Sequence, residues 1–126
     1  MSNTPISDAM RASGKWNEAW DEAAALDGEW MEKFIDMATL PVRKGLIDPK
    51  TYEFLAIAVD ASCTHLYSPG VKRHIANALD LGATPEEIMA VLQAVAVLGI
   101  HSVALGAPIL ADEMQKRGIE VPEVQP

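Results

Sequence analysis

One cysteine, Cys63, cannot close an intrachain disulfide, so no covalent staple contributes to whatever this chain folds into. Basic residues are also scarce: ten Lys and Arg stand against 18 Asp and Glu, giving a net charge of -8 and a pI near 4.7. Nucleic acid and anionic membrane surfaces are recognised by clustered Lys and Arg that displace counterions, so neither is expected as a partner. The opening "MSNTPISDAM" has no basic stretch followed by an apolar one, which removes the signature of a secretory signal and points to the cytoplasm. Metal-ligand spacings are missing too, with no HExxH, CxxC or Glu-x-x-His pair among Cys63, His65, His74, His101 and Glu53, and no metal or cofactor is expected. Strict apolar-polar alternation occurs nowhere, which excludes a sheet and leaves an all-α protein.

One long uncharged run requires explanation. "IMAVLQAVAVLGIHSVALGAPILA", residues 88–111, holds no charge over 24 residues, enough to cross a bilayer. It contains Gln93, His101, Ser102 and Pro108, is flanked by Glu86, Glu87, Asp112 and Glu113, and has no Trp or Tyr at either end. Those features speak against a span. The expectation is a pair of helices broken near Gly99, apolar all round and therefore buried within the domain or between subunits.

Length alone predicts one domain of ordinary size. The first ten residues and the tail "VPEVQP" lack core-forming periodicity and are expected to be loose. Apolar residues then recur at helical spacing, first Trp16, Trp20 and Ala23, then Trp30, Phe34 and Met37 after a break at Asp27-Gly28. Pro41 and Gly45 are expected to close that second helix, with the tryptophans as packing anchors. Asp48-Pro49 starts a third helix running to about Ala61, Ser68-Pro69 starts a fourth ending before Gly82, and Thr84 with Pro85 and Glu87 forms a capping box for a fifth. A sixth runs from about His101 to Arg117. The implied layout is an N-terminal helical extension, residues 1–46, packing on a core of 47–118, with a loose tail of 119–126.

Chemistry-bearing residues concentrate in "ASCTHLYSPGVKRH", residues 61–74. Upstream, Glu53 and Asp60 lie seven residues apart, two turns along one face of the third helix among Leu55, Ala56, Ile57, Ala58 and Val59. A desolvated carboxylate is suited to acid-base work, whereas an exposed Glu near a helix start simply complements the macrodipole. His74 falls beside the apolar stripe of Val71, Ala78 and Leu81, as a catalyst or a satisfied core residue. His101 raises the same choice at the break between two apolar helices, and His65 lies in a connection. Lys72 and Arg73, with Gly70 allowing close approach, make the start of the fourth helix an anion site or a solvated face. Cys63 has no helix N-terminus and no resolving cysteine beside it, so a buried, inert thiol is expected.

The segments "IDPKTYEFLAIAVDAS" and "RHIANALDLGATPEEIMAVLQAVAVLG" resemble the core helices of the carboxymuconolactone decarboxylase and alkylhydroperoxidase D-like (AhpD-like) family over residues 47–110. The resemblance implies a helical bundle of about six helices that assembles into a homotrimer or homohexamer. In the peroxidase branch a Glu is followed by Cys-x-x-Cys-x-x-x-His; counting back from the "GAT" glycine matches His74 to that histidine and Glu53 to the glutamate, across an interval two residues longer. The two cysteine positions then fall on Tyr67 and Gly70, and Cys63 lies four residues before the first. The decarboxylase branch does without that pair. The leading expectation is therefore a lyase-like enzyme doing acid-base chemistry, decarboxylation or isomerisation, on a small carboxylated lactone or unsaturated organic acid. His74, Glu53 and His101 would be catalytic, with Tyr67, His65, Arg73 and Lys72 binding substrate. The alternatives are a peroxidase or peroxiredoxin-type activity using Cys63, and a non-catalytic oligomeric ligand-binding protein.

Overall fold

The computed structural model describes residues 2–125. Among them there is no strand: the chain forms seven α-helices and two 3-10 turns. It divides into two compact units, 1–49 and 50–126, where length alone argued for a single core.

The first unit holds α1 (Pro5–Ala12), α2 (Asp21–Leu26) and α3 (Gly28–Arg43), with a 3-10 turn, Glu18–Trp20, ahead of α2. α1 corrects the expectation of a loose N-terminus. No side chain at its own N-cap, Thr4, closes it. Instead Glu32 of α3 accepts the Ile6 and Ser7 backbone N–H groups at 2.6 and 2.9 Å and the buried Ser7 hydroxyl at 2.7 Å. A long-range carboxylate thus satisfies donors that a helix start normally leaves orphaned. Burial acts to raise the Glu32 pKa, but the Ser7 hydroxyl and the two backbone N–H groups together outweigh it and hold the carboxyl below its ordinary value.

Trp16 and Trp20, both half-buried, serve as anchors, whereas Trp30 is exposed and touches the cluster through one ring face. Trp16 meets Trp20 edge-on and Trp20 meets Phe34 edge-on, while Trp30 stacks on Phe34 at 5.7 Å. Asp27 caps α3 by accepting the Trp30 N–H at 2.9 Å. Pro41 lies inside α3 and does not end it. Two residues from the terminus it removes one hydrogen bond only, and the stop comes at Gly45, whose φ of 70° suits glycine.

In the second unit α4 (Pro49–Asp60) and α5 (Ser68–Asp80) are followed by α6 (Pro85–Val95), a 3-10 turn Ala96–Gly99, and α7 (Ile100–Lys116). Ile57, Ala78, Ala83 and Ile88 form its buried core, with Phe54, Ile75, Val91 and Leu92 packed against them. The capping box forms as predicted: Thr84 Oγ1 accepts the Glu87 N–H and Glu87 accepts the Thr84 N–H, each at 3.1 Å. Lys50 on α4 reaches Glu87 at 3.2 Å.

The expected break near Gly99 is present as the 3-10 turn Ala96–Gly99 between α6 and α7, but it does not end the helical path. Residues 85–116 form one continuous helical path of 32 residues, long and apolar enough by length and composition to cross a membrane. The expectation of burial within the domain fails as well, for only 6% of its most apolar window is buried. Ile100, Val103, Leu105, Ile109 and Leu110 all face out.

Candidate functional site

Helix α4 places Glu53 and Asp60 two turns apart on one face, and α5 lays His74 against both. The His74 Nδ1 lies 2.6 Å from Glu53 Oε2, and its Nε2 lies 3.7 Å from Asp60 Oδ2. Side-chain exposures of 14%, 14% and 18% for Glu53, Asp60 and His74 show that the three are largely withdrawn from water. Asn77, one turn beyond His74, extends its amide toward the other Glu53 oxygen at 3.5 Å. With a carboxylate so close to Nδ1, that nitrogen carries the hydrogen and donates it, which leaves Nε2 as the position for proton exchange.

The connection between the two helices completes the cluster. His65 brings Nε2 to 3.4 Å from Asp60 Oδ1 and is half exposed at 52%. Its ring packs against Tyr67 at 5.7 Å. Leu66 between them takes φ 46°, a conformation rarely adopted by a branched side chain, and the Tyr67 N–H donates to the Asp60 carbonyl at 2.7 Å. The chain therefore doubles back tightly enough to fold His65 over the end of α4.

Gly70 sets the last dimension. A Cβ there would stand 2.0 Å from Asp60 Oδ2 and 2.7 Å from Tyr67 Cδ1. The Asp60 carboxylate thus occupies the volume of the missing side chain at the first turn of α5. That answers the expectation of an anion site at this helix start: the anion against Gly70 is the protein's own.

The remaining candidates are dispersed. Lys72 is exposed and, with Ala61, Leu66, Ser68 and Val71, lines an open hollow of about 350 Å³; Arg73 is half-buried. Cys63 is exposed in the turn after α4, not buried as expected. His101 is exposed on α7, and none of the described hydrogen bonds or ion pairs joins it to Glu53 or His74. Among the described residues no cluster of His, Cys, Asp and Glu is arranged to hold a metal ion. Sequence reasoning placed Asp60 on the Glu53 face but gave it no role, and missed Asn77, whose signal is its three-residue spacing from His74.

The model of the carboxymuconolactone decarboxylase family matches residues 28–111, which extends the likeness beyond 47–110 to take in α3. Among solved structures, a crystal structure from Burkholderia xenovorans LB400 is 36% identical with a TM-score of 0.84; its name, gamma-carboxymuconolactone decarboxylase subunit, is provisional. The match covers 99% of this chain and 51% of that one, so the chain spans about half the length of that relative. Among curated proteins none matches.

Proposed function

The chain belongs to the carboxymuconolactone decarboxylase family, and from that premise we propose that it is an acid-base enzyme acting on a small carboxylated lactone or a related unsaturated acid. The observation that carries this reading is the 2.6 Å contact between His74 Nδ1 and Glu53 Oε2, made between two helices and largely out of water. A short, charge-assisted hydrogen bond of this kind fixes both the ring orientation and the tautomer. Glu53 orients His74, and Nε2 does the proton chemistry.

For a decarboxylation, loss of CO2 leaves an electron pair conjugated with the lactone carbonyl, and the imidazolium at His74 supplies the proton that quenches it at carbon. For an isomerisation, neutral His74 takes a proton from one carbon and returns it to another. Arg73 and Lys72, in the first turns of α5, are the cations within the same segment that would attract the substrate carboxylate, and Tyr67 supplies a phenol. We also propose that the apolar face of α7 is covered by further copies of the chain, as a trimer or hexamer, because Val103, Leu105 and Leu110 are otherwise left in water.

The test measures CO2 release from gamma-carboxymuconolactone and a panel of small carboxylated lactones. His74→Ala is expected to lower kcat about 100- to 10,000-fold, the usual loss for a positioned acid or base. Equal turnover by His74→Ala and the parent protein would remove His74 from the reaction.

A further inference from the structure

We propose that Asp60 and His65 form a proton path connecting His74 to solvent. The inference deepens the function proposed above, because such a path serves catalysis only when His74 carries a proton in turnover. It begins from an oddity of Asp60. Its side chain is only 14% exposed, yet its carboxylate accepts no described hydrogen bond, and its described ion-pair partners are two imidazole nitrogens: His65 Nε2 at 3.4 Å from Oδ1 and His74 Nε2 at 3.7 Å from Oδ2. The start of α5 favours an anion beside Gly70, but no described hydrogen-bond donor closes on the carboxylate, and withdrawing a charge from water is costly without close partners, which leaves the two imidazoles as the groups placed to share a proton with it.

The four groups alternate acid and base, in the order Glu53, His74, Asp60, His65. The first three are 14–18% exposed, whereas His65 is 52% exposed. The order therefore runs from the shielded interior to the surface. The Nδ1 of His74 is committed to Glu53, so any proton leaving the ring leaves from Nε2, and Asp60 is the titratable group facing that atom. Gly70 lets the carboxylate sit close against α5, and the Tyr67 ring packs on His65.

The transfer balances with no partner beyond solvent. The imidazolium of His74 releases its Nε2 proton to Asp60 Oδ2 across a gap that one bridging water or a small rotation closes. Rotation of the resulting carboxylic acid about Cβ–Cγ presents the proton to His65 Nε2. His65, protonated, then gives a proton to bulk water, and the reverse sequence reloads His74. Only N–H and O–H bonds form and break.

The path is tested without a substrate by NMR measurement of solvent exchange at the His74 Nε2–H, resolved from the Glu53-bonded Nδ1–H, in protein carrying 15N-histidine, at low and high buffer concentration. Asp60→Asn and His65→Ala are each expected to slow that exchange roughly 100-fold, the low end for removing a positioned proton-transfer group. Imidazole added to the solution is expected to restore it in His65→Ala, where a surface side chain has been removed, and not in Asp60→Asn. Wild-type exchange rates in His65→Ala would overturn the path, and that substitution at an exposed turn keeps the test usable should Asp60→Asn fail to fold. Slowed exchange in a protein that releases no CO2 from any lactone tested would uphold the path and defeat the decarboxylase reading.

Discussion

Replacing Gly70 with alanine probes the site through its tightest contact. The new Cβ would meet Asp60 Oδ2 at 2.0 Å, Tyr67 Cδ1 at 2.7 Å and Asp60 Cγ at 2.8 Å, all well inside normal contact. Restoring a non-bonded separation of about 3.5 Å requires the carboxylate oxygen to retreat by more than 1 Å and the tyrosine ring by somewhat less. The carboxylate can swing, but only by leaving the space between His65 and His74. The ring is less free, because the Tyr67 N–H is tied to the Asp60 carbonyl and its neighbour Leu66 is already in the left-handed region. Overpacking of this kind costs about 1–3 kcal/mol, while alanine recovers at most about 1 kcal/mol of helix propensity. A net loss of about 1–2 kcal/mol is expected, seen as a Tm lowered by roughly 3–8 °C in a chain of this size. Asp60→Ala in the same protein removes two of the three clashes, so the double variant is expected to be more stable than the sum of its singles, measured by urea unfolding. A Gly70→Ala protein as stable as the parent, with additive behaviour alongside Asp60→Ala, would show that the carboxylate is not held against α5, and the site geometry argued above would fail with it.

The acid limb of stability is expected to involve Glu32. Its folded pKa is held below the ordinary value, so its contribution is complete above about pH 4.3 and is lost as pH falls through the folded value. Hydrogen exchange should show the Ile6 and Ser7 amides losing protection in that acid window, and at every pH in Glu32→Ala; protection that survives both would disprove the long-range cap. On α7, Leu105→Asp places a carboxylate in the proposed subunit contact at a residue 70% exposed in the single chain. An isolated charge buried there costs roughly 4 kcal/mol, about a thousandfold in association. Sedimentation velocity should find single chains with unchanged helix content, and a parent protein that already sediments as one chain would refute the assembly.

Where the sequence reads clearly, the signal is local. Thr84, Pro85 and Glu87 announce the start of α6 because a capping box closes within four residues, and Asp48-Pro49 and Ser68-Pro69 bracket α4 and α5 to within a residue or two. Where it misleads, the determinant lies elsewhere in the chain. α1 is held by Glu32, 25 residues past Ser7, so no inspection of residues 1–12 reveals its cap. Pro41 reads as a breaker by residue type, yet it sits in a last turn that tolerates it; Gly99 does end a 3-10 turn between α6 and α7, but its neighbours keep right-handed helical angles and the helical path runs on. The same division holds at the site. Glu53 and His74 were legible from the family pattern; Asp60 was visible on the right face but acquires a role only once the turn at 61–67 brings His65 back over it.

The contrast between site and surface in the second unit has a consequence for function. All the groups of the cluster, from Glu53 to Asn77, come from one helical hairpin, and the contacts that set their geometry are made inside it: Tyr67 N–H to Asp60, Asp60 against Gly70, Glu53 against His74. The hairpin therefore arranges its acid-base groups without help from α7. What it does not close is the outer end, since His65 is half open. Proton chemistry gains most when water is excluded at the reacting atom and a conduit to solvent is kept elsewhere. On the proposed reading those two requirements are separated: the hairpin would set which proton moves, and the proposed subunit contact over α7 would add apolar burial that the single chain does not provide.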